Sequence, residues 1–135
     1  MKTIHIYNEY LSENLETNHR IDFASKTWRF MYNHGVISCP VNVNDLKRSS
    51  NNIGDTRNLP FIKDLINFGI EKHNSDLIIL TNNDICVSEN IVYELDKYLL
   101  TRDAICAKRR NFNSPLKDFI PDYEINKGIE ELWGR

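Results

Sequence analysis

The chain has 135 residues, a formal net charge of −2 and 41% hydrophobic residues. That is enough for one domain with a real core, and too balanced in charge to carry a global basic field for nucleic acid. No apolar run reaches the length of a membrane span, and the N-terminus lacks a signal-peptide pattern, which points to a cytoplasmic protein without a membrane-spanning part.

Thr3 to Tyr7 reads as a short strand, with Ile4 and Ile6 on one face and His5 alternating out of it. Asn18 to Asn33 reads as a helix with an apolar stripe of Ile21, Ala24, Trp28 and Met31, stopped by Gly35. Val36 to Val41 is a second strand, and Pro40 suggests its end. Asn44 to Gly54 is polar and aperiodic, and reads as a mobile loop able to cover a site. A helix is expected from about Arg57 to Lys72, capped by Thr56 or Asn58 with Pro60 in its first turn.

Leu77 to Leu80 is an unbroken apolar run, the pattern of a strand buried on both faces. Ser88 is placed to cap a further helix carrying Ile91, Val92, Leu95, Tyr98 and Leu99. Asp103 to Ala107 reads as a fourth strand, leading into Lys108-Arg109-Arg110, and Ile125 to Trp133 as a short final helix. Strands alternating with helices imply right-handed crossovers and a mostly parallel sheet. The expected fold is therefore α/β, a three-layer sandwich forming a single domain over residues 1–135.

In such sheets ligands bind beyond the carboxyl ends of the strands. Asn82, Asn83 and Asp84 follow the Leu77–Leu80 run directly. Asp84 suits a divalent cation, because Mg²⁺ and Mn²⁺ take oxygen ligands and are bound through one or two carboxylates plus phosphate oxygens. An aspartate at a strand end also bonds nearby backbone amides in a turn, so local sequence leaves the two roles balanced. Arg57 suits a two-point clamp on a diphosphate, against the plainer reading of a surface arginine paired with Asp55. Lys108, Arg109 and Arg110 would neutralise phosphates or form a solvated loop. The four histidines, among them His5, take no catalytic role, and the three cysteines, Cys39, Cys86 and Cys106, read as buried free thiols without zinc spacing. A P-loop, a dinucleotide glycine fingerprint and a nucleophile elbow are all missing.

The stretches Arg57-Asn-Leu-Pro-Phe-Ile-Lys-Asp-Leu-Ile, Asp76-Leu-Ile-Ile-Leu-Thr-Asn-Asn-Asp-Ile85 and Asp103-Ala-Ile-Cys-Ala-Lys-Arg-Arg110 together resemble the nucleotide-sugar-binding half of GT-A-type glycosyltransferases, over roughly Thr3 to Arg110. The resemblance implies a GT-A-like, Rossmann-like topology and transfer of a sugar from a nucleotide-sugar donor to an acceptor, assisted by Mg²⁺ or Mn²⁺. Asp84 matches the last carboxylate of the family's Asp-x-Asp-like metal motif. Asn82 stands where the first carboxylate would be, a departure. Arg57 matches the arginine before the motif, and Asn83, Arg109 and Arg110 join the expected donor-binding set. The chain is shorter than such transferases usually run, and its late carboxylates, Asp122, Glu124, Glu130 and Glu131, are the candidates for the catalytic base. Two other readings compete: a non-catalytic nucleotide or nucleotide-sugar binding module, and an interaction protein that keeps only the fold. A homo-oligomer whose second subunit completes the active site is a further option.

Overall fold

The computed structural model describes residues 2–10 and 12–107. In chain order they form β1 (Thr3–Asn8), α1 (Leu15–Phe30), a 3₁₀ turn at Met31–His34, β2 (Val36–Val41), two more 3₁₀ turns at Val43–Asp45 and Ser50–Ile53, α2 (Ile62–His73), β3 (Leu77–Thr81) and α3 (Asn90–Leu99). The three strands make one sheet in the order β2-β1-β3, with β1 parallel to both neighbours. The class is α/β with an all-parallel sheet. This short strand order is shared by doubly wound folds in general.

The order dictates the layers. The chain leaves β1 toward β2, then crosses back over β1 to reach β3. Two right-handed crossovers of opposite direction put their helices on opposite faces. The packing agrees. Leu65 and Phe68 of α2 meet Ile4, Ile6, Val41, Ile78 and Leu80 on one face. On the other, Trp28 of α1, Met31 just after it, and Ile91 and Val92 of α3 meet Val36, Ile79 and Val87. Ile4 and Ile6 have no exposed surface at all, because β1 occupies the centre of the sheet. The apolar β3 run was expected to be buried on both faces. It is instead half-buried along its whole length, since among the described residues it pairs with β1 alone.

Local chemistry sets the element ends. Asn14 caps α1 by accepting a hydrogen bond from the Thr17 amide at 3.2 Å, so the helix starts at Leu15 and not at Asn18. Gly35 ends the helical run with φ +81°, as its position suggested. The second helix begins at Ile62, five residues after Arg57. Pro60 disfavours helical backbone in Leu59 before it, and Phe61 is extended at ψ 143°. Arg57 therefore sits in the preceding turn, and neither Thr56 nor Asn58 caps the helix.

Two further expectations change. Asp103 to Ala107 has no regular structure and lies exposed. A strand needs a hydrogen-bonded neighbour, and among the described residues nothing pairs with this segment. The Asn44–Gly54 segment is built, not loose. Ser49 and Asn52 form a reciprocal capping box, and buried Ser50 accepts the Leu59 amide on its hydroxyl at 2.7 Å. Arg48 holds Asp64 of α2 through Nε and Nη2 at 2.9 to 3.2 Å. Lys108 to Arg110 and the expected helix at Ile125 to Trp133 lie outside the described residues.

Gly69 marks the closest approach of α2 to the sheet. A Cβ there would stand 2.6 Å from Ile6 Cδ1 and 2.9 Å from Ile78 Cδ1. Alanine adds about 1 kcal/mol of helix propensity over glycine, but overpacking a filled core costs about 1–3 kcal/mol. Gly69→Ala should therefore lower stability by about 1 kcal/mol in urea unfolding. Adding Ile78→Val, which removes one of the two blocking methyls, should recover part of the loss. A stability gain from Gly69→Ala alone would contradict this packing.

Candidate functional site

The sheet face toward α1 carries Thr3, His5 and Tyr7 from β1, the residues that alternate with Ile4 and Ile6. Because helices cover both faces, Thr3 and His5 are buried and Tyr7 is half-buried. His5 was expected to point outward to solvent, yet it is 1% exposed at the middle of the sheet. Its Nδ1 is 2.7 Å from Ser38 Oγ on β2, and its Nε2 is 2.8 Å from Thr81 Oγ1 on β3. The Trp28 indole lies flat on the imidazole, with centroids 3.4 Å apart and planes 11° apart. Burial pushes the His5 pKa from 6.5 down to about 3, so the ring is neutral at physiological pH.

The hydroxyls assign its tautomer. Thr81 donates its one proton to the Asn82 carbonyl at 2.8 Å, so it accepts from His5 Nε2–H. Nδ1 then accepts from the Ser38 hydroxyl. One imidazole thus links all three strands to α1.

Beyond this row, toward the strand ends, α1 and the sheet part to leave a cleft of about 260 Å³. Its floor includes His5, Tyr7 and Ser38; Asn18, Ile21, Asp22, Ser25 and Trp28 of α1 form one wall; and Glu9, Tyr10 and Asn83 close the strand-end side. This is the crevice that the fold rule picks out. Reversal of strand order between β1 and β3 separates their connections and opens space at their carboxyl ends.

Two features mark the cleft chemically. Asn83 is 7% exposed, and its amide nitrogen donates to the Tyr10 carbonyl at 3.2 Å, but its Oδ1 has no hydrogen-bond partner among the described residues. Leaving a buried acceptor unpaired costs about 1–3 kcal/mol. The Asn8 Oδ1 at the end of β1 is in the same state. Second, Glu9 and Asp22 both line the cleft, and among the described residues no lysine or arginine does. Burial, and then the Glu9 carboxylate, raise the Tyr7 phenol above its ordinary pKa.

The residues singled out from sequence are distributed around this cleft and not all in it. Asn83 lines it. Asn82 is exposed, and Asp84 is half-buried one residue further along the same turn, outside the lining. Asp84 faces Cys86 closely enough to add to the burial that pushes that thiol up to about 12. Arg57 is 72% exposed and bonded to Asp55 at 2.8 Å, the plainer of its two readings. That contact holds the Asp55 carboxyl below its usual range. Arg109, Arg110, Asp122, Glu124, Glu130 and Glu131 lie outside the described residues.

Of the cysteines expected to be buried, Cys39 and Cys86 are half-buried and Cys106 is exposed, being part of the unpaired 103–107 segment. Among the described residues no three His, Cys, Asp or Glu side chains gather as a metal site. None of their helices is long and apolar enough to cross a membrane.

Sequence reasoning missed Glu9, Tyr10 and Asp22. Their signal was present only in part, as a polar, aromatic Asn8-Glu9-Tyr10 run directly after a strand. Comparison with family models, with curated proteins and with solved structures finds no match to this chain.

The buried imidazole gives stability a pH dependence of defined sign. The unfolded chain takes up the His5 proton near pH 6.5 and the folded chain only near 3. Stability from this group is complete above 6.5, falls as pH drops through 6.5, and goes on falling to about 3. At pH 4 the loss should be about 3 kcal/mol from His5 alone. In an NMR titration the His5 ring should keep the shifts of a neutral Nε2–H imidazole down to pH 4. Protonation of that ring in the folded protein near pH 6 would refute the buried network.

Proposed function

We propose that this domain binds a nucleotide-sugar and transfers its sugar to an acceptor, in the manner of GT-A-type glycosyltransferases. The observation that carries the reading is the cleft at the β1/β3 switch point, lined on its strand-end side by nearly buried Asn83. Its volume of about 260 Å³ falls just below the usual range of small-molecule sites, roughly 300–1,000 Å³. It suits one half of a nucleotide-sugar. Two carboxylates in the lining repel phosphate, so the nucleoside occupies the cleft and the diphosphate leaves toward the Asn82–Asp84 turn.

A cation fits that turn only as a shared ligand. Asp84 has no hydrogen-bond or ion-pair partner among the described residues, and exposed Asn82 adds a neutral oxygen. Mg²⁺ and Mn²⁺ are commonly held by one or two carboxylates together with substrate phosphates. Asp84 and Asn82 would supply the protein's share, and the cation would neutralise the leaving diphosphate. Arg57 reaches a phosphate only by leaving Asp55. Arg109 and Arg110 are the other proposed phosphate contacts, and the base is proposed among Asp122, Glu124, Glu130 and Glu131.

The neutral Asn82 at the first motif position favours one second reading, a module that binds the nucleotide without turnover. Release of nucleoside diphosphate from a donor separates the two.

Calorimetry with nucleoside diphosphates, with Mn²⁺ and with chelator, tests the proposal. Binding should be stronger with Mn²⁺, and Asp84→Ala should remove that gain, about tenfold or more, while leaving binding in chelator unchanged. Equal affinity of wild type and Asp84→Ala in Mn²⁺ would remove Asp84 from the site. Failure of every nucleoside diphosphate to bind at millimolar concentration would overturn the nucleotide reading itself.

A further inference from the structure

We infer that the open edge of β3, together with the exposed flank of α2 beside it, is the interface of a symmetric dimer of this chain. The two edges of the sheet differ. Among the described residues β2 and β3 each pair with β1 alone. β2 carries Pro40, which has no N–H to donate, and a proline on an edge strand blocks further pairing. β3 is Leu-Ile-Ile-Leu-Thr, with neither proline nor charge. All five of its residues are only half-buried, whereas a run of this composition suits a strand enclosed within a sheet. Such an edge is a template for another strand.

A second observation lies on α2. Ile62, Ile66 and Ile70 are 68, 36 and 53% exposed. Their spacing of four residues sets them in one row along the helix. Gly69, one turn on from Ile66, rests on Ile78 of β3. Asp64, on the opposite flank, is held by Arg48, which follows β2. The row therefore runs along the β3 side of α2. It covers about 12 Å at the helical rise, close to the roughly 16 Å of a five-residue strand. An apolar row and an unpaired apolar edge thus lie side by side over most of their lengths, the kind of continuous apolar patch that marks an interface.

The next segment of the same chain does not take this edge, since Asp103 to Ala107 is exposed and unpaired. A right-handed return to the outer side of β3 would need its helix on the α2 face, but α3 packs on the face of Trp28 and Ile79. A second copy fits both features. A twofold axis normal to the sheet beside Ile79 sets β3 antiparallel to its copy. Ile79 then opposes itself, Ile78 opposes Leu80, and Leu77 opposes Thr81, so no like charges meet across the axis. Ile78 and Leu80 both pack on the α2 side, next to the isoleucine row. α2 itself lies over β1 and β3, against Ile6 and Ile78. Its axis and that of the copy are therefore about two strand spacings apart, ~9.6 Å, within the roughly 8–10 Å of packed helices. The two isoleucine rows meet at that distance. None of the residues lining the cleft belongs to β3 or α2, so this contact is separate from the proposed nucleotide site.

Sedimentation equilibrium on the full chain tests this. The mass should be twice the 15.9 kDa of one chain at high concentration and fall toward the single mass on dilution. Ile66→Lys combined with Ile70→Lys should weaken association by about thirtyfold or more, the effect of losing a central interface residue. Both side chains are exposed, so the variant keeps the fold, which circular dichroism verifies. Ile37→Lys, at an exposed isoleucine of the Pro40 strand, should leave the dimer intact. Hydrogen exchange on the unsubstituted chain gives a second readout: outward-facing β3 amides should exchange faster in dilute than in concentrated protein, with β1 amides unchanged. A dimer undiminished in the double variant, or one lost equally in Ile37→Lys, would overturn the proposal by moving the interface elsewhere. A single-chain mass at every concentration would also overturn it. Protected β3 edge amides in that monomer would then assign the edge to a later segment of the same chain.

Discussion

The structure depends on one buried imidazole. His5 stands at the middle of the central strand, with Ser38 of β2 on one ring nitrogen, Thr81 of β3 on the other, and the Trp28 ring of α1 against its face. Removing Ser38 or Thr81 would leave a ring nitrogen of this buried imidazole unpaired, at about 1–3 kcal/mol. The aromatic stack adds about 0.5–1.5 kcal/mol. The contact therefore specifies register between all three strands and the seat of α1 at once. On the opposite face the same strand presents Ile4 and Ile6 to Leu65 and Phe68, where packing alone suffices. A polar row on one side and an aliphatic one on the other distinguish the two faces of β1.

That asymmetry leads to the cleft. An aliphatic row toward α1 would have drawn the helix down along its whole length. A row of Thr3, His5 and Tyr7, backed by Ser38, is satisfied by Trp28 near its middle and leaves the start of α1 apart from the strand ends. Glu9, Tyr10, Asp22 and Asn83 border the gap. The turn after β3 then divides its labour, since Asn83 lines the cleft and Asp84, its neighbour, does not. Under the proposed function, nucleoside and cation would fall to adjacent residues of one turn, which suits a ligand whose base and phosphates are joined by a ribose.

The strands were legible because their signals are local. Alternation gives β1, Gly35 and Pro40 frame β2, and the apolar run gives β3, each within a residue of the observed bounds. The stop of the helical run at Gly35, after the 3₁₀ turn that follows α1, was equally plain. The start of α2 was not, because Pro60 was read as a first-turn residue when its effect on Leu59 instead held the chain extended. Asp103 to Ala107 has strand-like composition, but a strand is completed by a partner, and partners are not local. The inward turn of His5 failed for a related reason. Alternation says that His5 and Ile4 face opposite ways; only the layer order says that both ways are covered. The site followed the same pattern. Strand-end logic reached Asn83 and the turn holding Asp84, whereas Glu9 and Asp22 matter only once β1 is known to flank the crevice.

The central claim is that the crevice between α1 and the ends of β1 and β3 is where the nucleotide's nucleoside sits. Backbone and indole NMR shifts during titration with a nucleoside diphosphate measure this directly. The account predicts the largest changes at Tyr7, Glu9, Tyr10, Asp22, Asn83 and the Trp28 indole, with α2 residues such as Leu65 and Ile70 unmoved. Changes centred on α2 or on the Asn44–Gly54 turns, with the cleft residues silent, would contradict it.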